Sequence, residues 1–177
     1  MSREIIIRLS PEFILARVVP TAAELAYGYE IGWLSAREIV AIVQAKSDSA
    51  VPLDAMEEAL LTAGDDPYER DRLIGTADAG EGKAEEQASR VWLFLGISAL
   101  WAKRSELADA LEMLYQLISE FGYPEEVENL LYVPRSIAGL LLDQPDVEIR
   151  WQDYIQRKTE EYMSRPGLLA SRPSSRP

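Results

Sequence analysis

Thirty carboxylates and eight tyrosines are the groups with which this chain could do chemistry, and it contains neither histidine nor cysteine. Without His it lacks the side chain whose ordinary pKa best suits general acid and base work near neutrality. Without Cys it has no thiolate nucleophile, no zinc-thiolate site and no disulfide, so redox compartment leaves no trace. Ser98 in "LGISAL" matches three letters of a nucleophile elbow, but the second Gly and the base are missing and the run is apolar and helical, so it reads as a core serine. "GEGKA", residues 80–84, resembles the end of a phosphate loop. Ala77 stands where that motif requires Gly, and Ala84 where Ser or Thr would hold magnesium. Asp65, Asp66, Glu69 and Asp71 lack the alternate spacing, the Gly and the distant Glu of a calcium loop. Two acids placed across a cleft could cleave a glycoside. With thirty acids some such pair always exists, so a carboxylate hydrolase stands only as a third reading, and no catalytic, cofactor-binding or metal-binding residue is expected.

The acids themselves are the stronger signal. Lys and Arg total 18 against 30 Asp and Glu, and the last fourteen residues, "SRPGLLASRPSSRP", hold three Arg and no acid. Residues 1–163 therefore carry 15 basic groups against 30 acidic ones. Such a surface repels phosphate backbones and anionic membranes, which are bound through clustered Lys and Arg. Nucleic acid and membrane are thus excluded as partners, and a basic protein is the complement. Solubility is the plainer meaning of the same excess. Charge gathers away from apolar faces at "DDPYERD", residues 65–71, and at Glu81, Glu85 and Glu86. There Asp65, Asp66, Tyr68, Glu69, Glu81, Glu85 and Glu86 form the expected partner-binding edge, with Tyr68 as its aromatic anchor. Glu125, Glu126 and Glu128 form a second-choice patch.

Helices must position these groups. Ser10-Pro11-Glu12 offers an N-cap with Pro in the first turn, and Thr21 with Glu24 and Ser35 with Glu38 are capping boxes. Ile39, Val40, Ile42 and Val43 share one side of a helix, as do Leu53, Met56 and Leu60 after Pro52. A helix begins at Pro67, and "GTADAGEGK", residues 75–83, reads as a mobile loop. From about Lys83 to Lys103 the pattern becomes apolar on every side, as expected of a helix buried in a bundle. A second long helix from Ser105 puts Leu107, Leu111, Leu114 and Ile118 inward, and a last one starts near Asp146. Trp92, Trp101 and Trp151 fall on apolar faces, while Trp33, beside Gly32, is either packed or exposed. Only "EIIIRL", residues 4–9, alternates like a strand, and a lone strand makes no sheet.

The expected fold is all-α: one domain over residues 1–163, a helical bundle or stacked helical hairpins of seven to nine helices. Residues 164–177 form a disordered Arg/Pro/Ser tail. The Ile run near the N-terminus is too short for a signal peptide. The apolar run 91–102 falls short of the roughly 20 residues a membrane-spanning helix needs. The expected location is cytoplasmic.

"AELAYGYEIGWLSAREIVAIV", residues 23–43, and "VWLFLGISALWAKRSELADALEMLYQLISEFGYPEEVENLLYVP", residues 91–134, carry a resemblance to a known family. Tyr27, Gly28, Gly32, Trp33 and Ser35, then Trp92, then the corner Phe121, Tyr123 and Pro124, then Tyr132 and Pro134 resemble the bacterial domain-of-unknown-function family 2247. Val133, where the family pattern has Tyr or Met, and the Arg/Pro tail depart from it. The resemblance assigns no activity. It implies a small acidic helical protein similar to those encoded beside bacterial polymorphic toxins as immunity partners. The function expected is therefore non-catalytic binding, an immunity or antitoxin-like inhibitor that occludes a basic toxin domain sterically and electrostatically. The alternative is a helical adaptor or scaffold for a cellular protein.

Overall fold

A computed structural model describes residues 7–77, 82–131 and 144–165. Among the described residues the protein is all-α, with nine α-helices and one 3-10 turn. In chain order these are α1 (Pro11–Leu15), α2 (Ala22–Glu30), α3 (Ala36–Asp48), α4 (Ala55–Thr62), α5 (Pro67–Thr76), α6 (Lys83–Lys103) and α7 (Ala110–Glu120). The 3-10 turn Glu125–Val127 then runs into α8 (Glu128–Leu131), and α9 (Gln144–Met163) follows. Residues 7–9 of the strand-like segment are not in a strand, and residues 4–6 lie outside the described residues.

Side-chain caps set most of the starts. The Ser10 hydroxyl accepts from the Phe13 amide at 3.2 Å, with Pro11 opening the helix. Both predicted capping boxes are closed in both directions, Thr21 with Glu24 and Ser35 with Glu38. A third, Asp54 with Glu57, starts α4. Each box satisfies two amides that the helix itself leaves orphaned. The helix expected from Ser105 begins at Ala110 instead. Asp109, at φ −145 and ψ 85, accepts from the Glu112 amide and is the stronger start, while residues 104–109 make turns. The expected loop 75–83 shrinks because α5 continues to Thr76, and residues 78–81 lie outside the described residues.

The core is built round α6. Val91 to Leu100 are all buried, as an apolar surface on every side of a helix requires. Helices α2, α7 and α9 pack against it, while α5 packs against α2 and α3 and α4 pack against α5 and each other. Trp92 reaches from α6 to α2, where its indole N–H donates to the Glu24 carbonyl at 2.6 Å. Trp151 reaches from α9 to α6 and donates to the Ile97 carbonyl at 3.1 Å. Each large ring is thus buried with its polar atom satisfied. Ser98 donates to the Phe94 carbonyl at 2.8 Å, a satisfied core serine.

The tryptophans left open or assigned to the core resolve differently. Trp33 is buried, its ring edge-on to Trp92 at 6.1 Å and to Phe121 at 5.8 Å. Trp101 is only partly buried, a correction to its expected place in the core. It sits in the last turn of α6, where Trp151 covers one side at 5.3 Å and the Arg104 guanidinium lies 3.8 Å over its ring.

Two ion pairs hold the periphery. Lys46 of α3 is buried against Glu57 of α4, and its ammonium also donates to the Pro20 carbonyl at 2.8 Å. Arg165, at the start of the predicted tail, pairs with the buried Glu24 carboxylate at 2.8 Å. The rest of that tail, residues 166–177, lies outside the described residues.

The contact between Trp92 and Gly28 gives a direct test. A Cβ at residue 28 would stand 2.0 Å from Cζ2 of the Trp92 ring, whereas one at Gly75 of α5 meets nothing within 4 Å. Gly28→Ala is expected to destabilise by about 3 kcal/mol through overpacking, and Gly75→Ala to stabilise by about 0.5 kcal/mol through helix propensity. Urea denaturation of the two variants checks both signs. Lys46→Met leaves the Glu57 carboxylate buried without its cation, so a loss of about 3–5 kcal/mol is expected in the same assay.

Candidate partner-binding surface

The expected edge is built on the N-terminus of α5. Asp66 is its N-cap, accepting from the Tyr68 and Glu69 amides at 3.0 and 3.4 Å. Capping the first turn this way leaves Tyr68 pointing outward, 87% exposed. The acids around it are not all available, however. Asp65 pairs with Arg70 at 2.8 Å, and Glu69 grips Arg72 through two bonds of 2.5 and 2.9 Å. That bidentate grip holds the Glu69 carboxyl below the usual carboxylate range. Asp71 accepts from the Tyr29 hydroxyl at 2.8 Å, which raises the phenol's pKa and ties α5 to α2. Four acids and two arginines thus alternate round Tyr68.

Glu85 and Glu86 lie exposed in the first turn of α6, where the helix dipole favours acids. Glu86 pairs with Arg90 one turn on. Glu81 lies outside the described residues.

The corner after α7 supplies more than a fixed angle. The Tyr123 amide donates to the Ile118 carbonyl and the Gly122 amide to the Ser119 carbonyl, both at 3.1 Å. This is the double bond of a Schellman stop. Gly122, at φ 74, takes the left-handed conformation that glycine favours, but so does Tyr123, at φ 53. A residue with a Cβ pays about 1–2 kcal/mol there. Pro124 is extended at ψ 144 and precedes the 3-10 turn. Phe121 goes inward to Trp33, while Tyr123 goes outward to Tyr115, their rings 5.7 Å apart and edge-on. Tyr115 and Tyr123 are 54% and 44% exposed.

The second-choice acids divide at this corner. Glu125 and Glu128 are exposed, but Glu126 turns inward to Lys158 at 2.9 Å. The period of three residues per turn separates Glu126 from its neighbours. Tyr115 was the residue that sequence reasoning missed. It stands four residues after Leu111 and three before Ile118, so the helical period reads it as the edge of the apolar stripe and gives no sign of its exposure. Tyr132 and Pro134 of the corner pattern lie outside the described residues.

Among the described residues there is no group of three or more acids that could hold a metal ion and no helix long and apolar enough to cross a membrane. A family model described as "uncharacterized protein conserved in bacteria", the domain-of-unknown-function family 2247, matches residues 11–159. No curated protein and no solved structure matches the chain.

The strained corner and the cap separate residues that serve the fold from residues that do not. Tyr123→Gly is expected to stabilise by about 1 kcal/mol, although it removes an aromatic pair, because the left-handed strain is relieved. Asp66→Ala is expected to cost about 1 kcal/mol through the lost cap. Tyr68→Ala should change stability by no more than about 0.5 kcal/mol. Thermal and urea denaturation of the three variants checks the ordering.

Proposed function

We propose that this chain, which belongs to the domain-of-unknown-function family 2247, is a non-catalytic protein that binds a basic protein domain and occludes its working surface. Its partner is of the toxin class that bacterial immunity proteins neutralise. The observation that carries this reading is the character of the exposed apolar side chains. Among the described residues, three of the five large ones are tyrosines: Tyr68, Tyr115 and Tyr123. Each stands within a turn or so of carboxylates, Asp65, Asp66 and Glu69 for the first, Glu112 for the second and Glu125 for the third. Tyrosines of this kind supply much of the affinity at protein interfaces, because a rigid ring covers a large area and its hydroxyl tolerates water.

The acids have a different role. With a net charge of −12 the molecule attracts a cationic partner over a distance comparable to the Debye length, which raises the association rate. Short-range fit then falls to the tyrosines. The arginines paired with Asp65 and Glu69 break the negative surface into a pattern, so a partner must match positions as well as net charge.

The product of the adjacent open reading frame is the partner to test. Tyr68→Ala combined with Tyr123→Ala is expected to speed dissociation at least tenfold, as loss of buried aromatic anchors does. Glu85→Lys with Glu125→Lys and Glu128→Lys reverses acids that carry neither a cap nor an ion pair among the described residues. That variant is expected to slow association and flatten its salt dependence. Surface plasmon resonance at two salt concentrations reads both. Wild-type affinity in the double tyrosine variant would sink the proposal, and a complex formed only with a housekeeping protein would favour the adaptor reading.

A further inference from the structure

A cleft of about 550 Å³ opens between residues 7–10 with α1 on one side and the C-terminal end of α6, Leu107 and α7 on the other. Leu9 and Leu100 in its lining are buried, and Ile7, Phe13, Leu107 and Met113 are packed against the core but only partly covered. Its two long polar side chains are Arg8 and Lys103. Both residues are exposed, so their stems extend the apolar wall while their heads stand towards the mouth. Ala99, Ala102 and Ser10 complete the lining, and the Ser10 hydroxyl is already engaged by the Phe13 amide at 3.2 Å. No acid lines the cleft, in a chain with 30 Asp and Glu against 18 Lys and Arg. The acids nearest in sequence are turned to other work. Glu12 is held by its own amide and the Ser10 hydroxyl, and Glu112 takes the Gln116 side-chain amide at 3.2 Å. Neither Arg8 nor Lys103 has an ion pair among the described residues.

We propose that this cleft binds a small free alkyl carboxylate, its chain against the apolar wall and its head between Arg8 and Lys103. A concave, mostly apolar site with a few polar groups that fix orientation is the usual form of a small-molecule pocket, and about 300–1,000 Å³ is its usual size. The polar groups here are donors of one sign, so they select an anionic head. A purely apolar ligand would crowd two cations without meeting either, and an alkyl ammonium would be repelled by both. A carboxylate is favoured among anions because the guanidinium fork matches its two oxygens, and the low dielectric of the apolar wall strengthens both charge pairs. The end of the α6 dipole opposes an anion at this place, and Lys103 in the last turn offsets it. An acidic surface elsewhere weakens the approach of such a ligand without altering its contacts once it is seated. The cleft would take this ligand whether or not the exposed tyrosines meet a partner.

The test uses the full chain, labelled with nitrogen-15 and titrated with sodium octanoate, 1-octanol, octylammonium chloride or sodium acetate at matched ionic strength. Saturable amide shifts centred on residues 7–13, 99–103 and 107–113 are expected with octanoate. Octanol should bind about tenfold more weakly, for want of a charged head, and octylammonium and acetate should give no saturable shift there. Arg8→Gln combined with Lys103→Gln changes two exposed side chains, so the variant should melt within a few degrees of the wild type. It should bind octanoate only as weakly as octanol, and its affinity for octanol should not fall. That second readout separates loss of the anionic contact from loss of the cleft. Octanol or octylammonium binding as tightly as octanoate, octanoate shifts that do not saturate or that centre elsewhere, or wild-type octanoate affinity in the double variant would overturn the proposal.

Discussion

Ten consecutive residues of α6, Val91 to Leu100, have no face left for water, and the rest of the chain is arranged by the need to cover them. An isolated helix of this kind would expose apolar surface on all sides, which the hydrophobic effect forbids. One neighbour cannot suffice. Helix α2 covers one side at the closest approach backbone allows, because Gly28 has no Cβ to hold the Trp92 ring away. Helices α7 and α9 cover the others, the latter anchored by the Trp151 bond to Ile97. Helices α3, α4 and α5 need only bury one face each, and the capping boxes of α3 and α4 and the Asp66 cap of α5 give them starts that their length alone would not secure.

The same demand separates what was legible in the sequence from what was not. Capping boxes and the all-round apolar pattern of α6 are local signals, and both boxes read from sequence formed as expected. Lys46 was legible in principle, since it stands seven residues after Ile39 on the same face as Ile42 and Val43, a charge on a stripe that must be buried. Its partner Glu57 could not be named, because the α3–α4 turn angle decides which acid arrives. Trp33 was undecidable for a related reason: its fate depended on Phe121, eighty-eight residues later, coming back over it. The start of α7 was misplaced because Ser105 was read as its beginning, whereas the Asp109 carboxylate caps the Glu112 amide.

The candidate surface was legible only as composition. That acids gather near residue 65 is visible at once, but that Asp65, Glu69 and Glu86 each face an arginine of their own chain is a matter of rotamers and helix phase. Net charge and local field are therefore different quantities here. The exposed tyrosines are the converse case: Tyr68 was expected outside from its acidic neighbours, whereas Tyr123 owes its exposure to a left-handed backbone that no pattern of polar and apolar residues encodes.

The bond between Glu24 and Arg165 joins residues 141 positions apart, and this bears on the order in which the chain can assemble. Closing so long a loop in an open chain forfeits much entropy for a single ion pair. Once α2 and α6 have met, the docking site for α9 exists and most of that loss has already been met by other contacts. Glu24 and Arg165 are then among the last groups to find one another. A nascent molecule emerging from the ribosome would hold α1 to α7 together before the basic residue that locks the capping box of α2 has been synthesised. This ion pair therefore forms only after Arg165 has been synthesised, late in the making of the described chain.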